Sequence, residues 1–225
     1  MNLAVLGTGM VGQALAGRLH DLGHTVTVGT RDPRATLART EPDGMGNAPY
    51  ATWQATHPGV SLATFADAAR AADLVVLATH GTASLAVLRL AGAENLAGKP
   101  LLDVSNPLDF SQGFPPTLFV KDTDSLAEQI QREFPDALVV KSLNTLTAPL
   151  MVDPRSLGQS STVFVSGDDA AAKATVVGLL EGFGHDDVID LGDLSTARGA
   201  EMLLPLWVRL MAALGTGTFN IKVVR

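Results

Sequence analysis

Leu3-Ala4-Val5-Leu6-Gly7-Thr8-Gly9-Met10-Val11-Gly12 stands almost at the start of the chain. Four consecutive apolar residues read as a short buried strand, and Met10 to Leu22 carries helical spacing. Between them, Gly7, Gly9 and Gly12 match G-x-G-x-x-G. Alone that pattern is weak. Placed between a strand and a helix, it predicts a dinucleotide-binding turn. Gly7 permits the tight turn, a side chain at Gly9 would collide with a pyrophosphate, and Gly12 lets helix and strand pack closely. The helix N-terminus, including Thr8, Met10 and Val11, offers unpaired N–H groups and partial positive charge to the anion. The bland alternative is three glycines in an ordinary strand–helix connection.

The second strand, Thr25–Val28, predicts which nucleotide. Enzymes selective for NAD place Asp or Glu at this tip, to hold the ribose 2′-OH. Here the strand runs into Gly29-Thr30-Arg31. Thr30 has a hydroxyl to donate, Arg31 a planar fork suited to phosphate, and Arg34 a second positive charge. The expectation is NADP(H). Asp32 is the competing feature, since it would meet a ribose hydroxyl if the strand ended later.

Further along, strands and helices alternate. Strand candidates are 60–63, 74–77, 100–104, 138–141, 162–166 and 187–191. Helix candidates are 34–40, 65–71, 84–90, 126–134, 170–182 and 197–214. Alternation of this kind implies an α/β, Rossmann-type, doubly wound parallel sheet. Glu41–Gly59 is rich in Gly and Pro and reads as a long surface loop of unassigned role. Phe110–Pro116 is a loop, and Phe219–Val224 an apolar, extended tail. The expected division is a nucleotide domain, residues 1–150, and a smaller C-terminal α/β region, residues 151–225, which would complete the substrate cleft or share one core with the first.

Composition narrows the classes. The 225 residues include 46% hydrophobic ones and carry a formal net charge of -7. A basic nucleic-acid footprint is not expected, and an anionic membrane surface is disfavoured. There is no cysteine, which excludes disulfides and thiolate chemistry and fits a reducing, cytoplasmic setting. No targeting pattern is read at the N-terminus. The most apolar helical stretch, Met202–Leu214, falls short of the roughly 20 residues a bilayer requires, and Arg209 interrupts it. With Trp207 and the tail it would be covered by a second copy in a homodimer, or by the protein's own core.

Ligands of open α/β sheets sit at the carboxyl ends of the strands. Three more such ends carry small or polar residues: Ala78-Thr79-His80-Gly81, Ser105-Asn106-Pro107-Leu108 and Ser142-Leu143-Asn144-Thr145. Lining one crevice, Ala78, Thr79, His80, Asn106 and Pro107 would contact the cofactor. His80 is read as a loop contact rather than an acid or base. His20, His24, His57 and His185 show no metal-ligand spacing. Lys141 and Asn144 would point in different directions from a strand end, so a lysine general acid is not expected.

These segments together resemble a known family. GTGMVG, the Val28–Arg31 tip, Val139–Thr145, Ser166-Gly167-Asp168-Asp169 and Asp190–Arg198 are similar to the F420-dependent NADP reductases over nearly the whole chain. They also resemble the cytosolic NADPH-oxidising domain of the six-transmembrane metalloreductases, most of all around Lys141–Thr145 and Asp190–Arg198. The resemblance implies hydride transfer between NADPH and a small redox acceptor, a deazaflavin (coenzyme F420) or a flavin (FMN or FAD). It implies that Thr8–Val11, Thr30, Arg31, Thr79 and Ala148 hold NADP, and that Asn144, Thr145, Leu146 and Phe219 face the acceptor. The deazaflavin enzymes can carry His where this chain has Asn144, whereas the metalloreductase domain resembles it in having Asn.

Hydride transfer between stacked rings asks for positioning rather than a catalytic side chain, so none is assigned. Two alternatives stand beside it. One is reduction of a small carbonyl or imine, which needs a proton donor. The other is a non-catalytic redox sensor on the same fold.

Overall fold

The computed structural model describes residues 1–42 and 46–225. Strands β1 (Asn2–Leu6), β2 (Thr25–Thr30), β3 (Ser61–Thr64), β4 (Leu74–Leu77), β5 (Pro100–Asp103), β6 (Leu108–Asp109), β7 (Thr117–Leu118), β8 (Leu138–Ser142), β9 (Thr162–Gly167) and β10 (Asp187–Asp190) follow one another along the chain. Between and after them run α1 (Met10–Asp21), α2 (Pro33–Ala38), α3 (Tyr50–Thr56), α4 (Phe65–Ala71), α5 (Ser84–Ala91), α6 (Ala93–Leu96), α7 (Leu126–Glu133), α8 (Ala148–Val152), α9 (Ala170–Phe183), α10 (Ala197–Met202) and α11 (Leu204–Leu214).

Eight strands form one Rossmann-type sheet in the order β10-β9-β8-β5-β4-β1-β2-β3, while β6 and β7 pair as a separate antiparallel hairpin. β1 lies inside the sheet, parallel to β2 and β4. Its alternation sorts the core. Leu3 and Val5 join Leu15, Leu19, Val176 and Phe183 on one face; Ala4 and Leu6 join Phe65, Ala68, Leu88 and Ile130 on the other. Helices on both faces explain why the central strands are apolar throughout. The sheet and the first cluster continue past residue 150 through β9 and α9.

Several expectations are corrected. β9 pairs antiparallel with β8, so the last strand–helix–strand unit runs against the rest. A parallel return needs a crossover of a dozen or more residues, usually a helix. The only helices between these strands are five-residue α8 and a 3-10 turn, Pro154–Leu157. The stretch 41–59 is not all loop: it contains α3, whose Tyr50 is buried and contacts Trp53 with ring centroids 5.3 Å apart. The flanking glycines and prolines hid that i, i+3 pair, and Asp43, Gly44 and Met45 of the same stretch lie outside the described residues. The final helix is two helices meeting at Leu203. Pro205 lacks an N–H and would clash with the carbonyl of Glu201 in one continuous helix. The tail runs beside β9, where Thr162 N–H donates to Ile221 O at 2.9 Å.

Among the described residues no helix is long and apolar enough to cross a membrane.

Candidate cofactor groove

The glycine turn is built as the sequence requires. Gly7 has φ +131°, and a Cβ there would stand 2.3 Å from the Ala78 carbonyl oxygen. A Cβ on Gly12 would stand 2.1 Å from Gly7 O. Gly12 therefore lies beneath the turn, where it sets the packing. Gly9 differs: a Cβ would meet nothing within 4 Å. It is the N-cap of α1, no side chain caps that helix, and no acid stands in the first turn. The open amides and the free space above Gly9 fit a pyrophosphate. Gln13 Nε2 donates to Thr8 O at 2.9 Å and braces the loop.

β2 continues two residues beyond the expected end, so its tip is Thr30. Thr36 Oγ1 donates to Asp32 O at 2.8 Å and also lies 2.8 Å from Thr30 Oγ1. Thr36 has one hydroxyl hydrogen, so Thr30 is the donor in the second bond. The Thr30 hydroxyl hydrogen is directed to Thr36 at the strand tip. Asp32 caps α2 through Ala35 N at 3.1 Å. Arg31 and Arg34 are exposed and enter no ion pair among the described residues. The cationic tip stands free where an adenosine phosphate would be expected.

A groove of about 470 Å³ crosses the carboxyl ends of β1, β4 and β5. Of the residues singled out in the sequence it gathers Gly7, Thr8, Gly9, Met10, Val11, Ala78, Thr79, His80, Asn106 and Leu146. His80 is exposed, edge-on to Phe110 of the β6–β7 hairpin at 6.3 Å. Gly81, Ser105 and Leu108, quoted with the strand ends but not assigned as contacts, line it as well, and so do Asn47, Val104 and Met151, which escaped notice. Gly81 had a signal, since it continues the β4 tip; a Cβ there would lie 1.9 Å from Asn106 O. Met151 had none, because its place depends on α8.

The remaining expected contacts lie elsewhere. Pro107 and Ala148 are buried and outside the lining. Asn144 and Thr145 are buried too. The amide of Asn144 donates to Asn106 Oδ1 and to Ala200 O, both at 3.0 Å, while Asn106 Nδ2 donates to Asn144 O at 2.8 Å. Asn144 thus stands behind Asn106 as its brace, with both amide hydrogens committed. Phe219 stacks on Trp207 at 5.3 Å and is not part of the lining.

Beneath the groove lies a charged network that sequence reasoning missed. Lys141 is 1% exposed. Its Nζ lies 2.9 Å from Asp103 Oδ2, 2.9 Å from Glu201 Oε1 and 2.5 Å from Ser105 O. Burial alone would push the ammonium down, but the Asp103 and Glu201 carboxylates outweigh it and hold Lys141 above the usual lysine range. Glu201 also accepts from Leu126 N and Ala127 N at the start of α7. Lys141 reaches Ser105 and Glu201 while Asn144 reaches the adjacent Asn106 and Ala200, so the two side chains meet the same two segments, and the lysine does not line the groove. No cluster of three or more metal-ligating side chains occurs among the described residues.

Residues 2–107 match the family model described as NADP oxidoreductase, coenzyme F420-dependent. A crystal structure from Arthrobacter sp. FB24, whose working designation is F420-dependent NADP reductase, is 63% identical, with TM-score 0.96 and 100% of both chains covered. The F420-dependent NADP reductase of Methanothermobacter marburgensis is 28% identical over 214 residues, covering 93% of this chain and 92% of the relative. Metalloreductase STEAP3 of Rattus norvegicus is 31% identical over 222 residues, 95% of this chain, and the chain spans only 39% of that protein's length. The chain belongs to the coenzyme F420-dependent NADP oxidoreductase family and is an NADP-dependent oxidoreductase.

Proposed function

We propose that this chain transfers hydride between NADPH and a deazaflavin (coenzyme F420) or flavin. The observation that carries this reading is the groove's division of labour. One end is the uncapped α1 N-terminus beside Gly9. The other is walled by Val104, Leu108, Leu146 and Met151, with His80 as the single titratable group of the lining among the described residues. Apolar walls suit planar rings held face to face and keep water from between them. When bound, the nicotinamide nucleotide supplies the hydride. The chain's own part is to hold the phosphates at Gly7–Gly12, the adenosine phosphate at Arg31 and Arg34, and the reacting rings at roughly 3–3.5 Å.

The C-terminal region contributes Met151 to the groove. Exposed Met202, Leu206 and Leu214 support a homodimer built on α10 and α11. The cysteine-free composition is compatible with a cytoplasmic enzyme.

Stopped-flow mixing with NADPH and oxidised F420, FMN or FAD tests the function. Loss of the acceptor's visible absorbance is expected. NADPH binding with every one of these acceptors left oxidised would overturn it.

A further inference from the structure

We propose that Ser105 binds the carboxamide of the nicotinamide as a hydrogen-bond acceptor, with its polarity set by Asp103 and Lys141. This rests on the preceding reading that NADPH lies along the groove. The strand order β5-β4-β1-β2 puts the phosphate turn on β1, Arg31 at the β2 tip, and Ser105 beyond β5 on the opposite side. A dinucleotide with its adenosine phosphate at Arg31 and its pyrophosphate at the turn therefore carries its nicotinamide half toward β4 and β5. Ser105 lines the groove there, among Val104, Leu108, Leu146 and Met151.

The direction of the Ser105 hydroxyl follows from its surroundings. Asp103 Oδ1 accepts from Ser105 N at 2.9 Å and from Ser105 Oγ at 2.6 Å. Asp103 Oδ2 accepts from Lys141 Nζ at 2.9 Å. An ionised carboxylate offers no hydrogen, and a serine hydroxyl has only one. That one points to Asp103, so Ser105 presents only lone pairs to a ligand. Lys141 holds Asp103 Oδ2 in an ion pair and also grips the Ser105 carbonyl, so the serine cannot turn without breaking the buried network. The group that meets Ser105 must be a donor. On the nicotinamide ring system the carboxamide N–H₂ is the donor; its carbonyl is not. The same polarity bars Ser105 from protonating a carbonyl or imine.

The test uses NADP⁺ and its 3-acetylpyridine analogue, in which a methyl group replaces the N–H₂ and the carbonyl remains. Affinities are measured by calorimetry on the full chain. Wild type is expected to favour NADP⁺ by roughly five- to tenfold, the worth of one hydrogen bond. Ser105→Ala should bring the two within about twofold, since only the partner of the missing donor is lost. Asp103→Asn, which lets the hydroxyl turn, should also shrink the ratio. A general structural fault would weaken both ligands alike and keep the ratio, so Ser105→Gly with the same readout stands in if Ser105→Ala misfolds. A wild-type ratio retained in the serine variant, or no discrimination by wild type, overturns the proposal. Failure of wild type to bind either nucleotide overturns the groove reading itself.

Discussion

Asp32 Oδ1 accepts the backbone N–H of Ala35 at 3.1 Å and closes the first turn of α2. The one carboxylate near the β2 tip that would compete for a ribose hydroxyl is thereby engaged in capping. Its neighbour Arg31 is exposed and enters no ion pair among the described residues.

Arg31→Ala should therefore weaken NADPH binding by roughly 1.5–3 kcal/mol, the worth of a charged hydrogen bond, and leave NADH nearly unchanged. Calorimetric titration with both nucleotides checks this. Equal losses would remove Arg31 from the selection of the 2′-phosphate.

The three glycines of the turn should separate in their effects. Gly7→Ala and Gly12→Ala drive a methyl group into backbone 2.3 Å and 2.1 Å away. Each should cost about 3 kcal/mol or more, the upper part of the range for point changes. Gly9→Ala has free space and an ordinary φ of -76°, so it should cost no more than about 1 kcal/mol as an N-cap change. Its NADPH affinity should nevertheless fall by about tenfold or more, or about 1.4 kcal/mol. Urea unfolding and nucleotide titration on the same three variants read the two quantities separately.

Lys141→Met leaves Asp103 and Glu201 buried without their cation. Removing one partner from a buried ion pair costs about 3–5 kcal/mol, and a loss of that size is expected in urea. The network also has a pH signature. The folded-state value of Lys141 is raised, so its contribution is complete below the unfolded lysine value and is lost as pH rises through the raised one. A stability gap between wild type and Lys141→Met that persists unchanged at strongly alkaline pH would contradict the ion-pair account.

His185 supplies the acid-side counterpart. Burial is the main cause that lowers its pKa, opposed by the contact of Nε2 with Met151 O at 3.0 Å and by Asp186. The unfolded chain then takes up the proton first, so stability falls as pH drops below the ordinary histidine value of 6.5 and levels off beneath the folded one. His185→Gln should flatten this part of the curve. An identical slope in both proteins, followed by thermal unfolding between pH 5 and 7, would count against it.

Much of the site was legible because the relevant signals are local. The Gly7–Gly12 turn and the polar ends at Ala78–Gly81 and Ser105–Leu108 follow apolar runs that read as central strands, and the Arg31 tip follows the alternating Thr25–Val28. The direction of the Thr30 hydroxyl was not legible: it meets Thr36, six residues on, and residue type alone does not show where a hydrogen points.

The amino-acid order alone determined the strand–turn–helix that receives a dinucleotide, the cation after β2 and the alternation that builds a two-sided sheet. These are properties of residues within a turn or two of one another, where backbone sterics and periodicity act directly. Tertiary structure decided the reversal of β9, the retreat of Asn144 behind Asn106 and the burial of Lys141 between Asp103 and Glu201. Lys141 and Asp103 are 38 residues apart, and Glu201 reaches Leu126 across 75. A charge survives in the core only when distant segments bring its partners to it, and no local pattern records that they will.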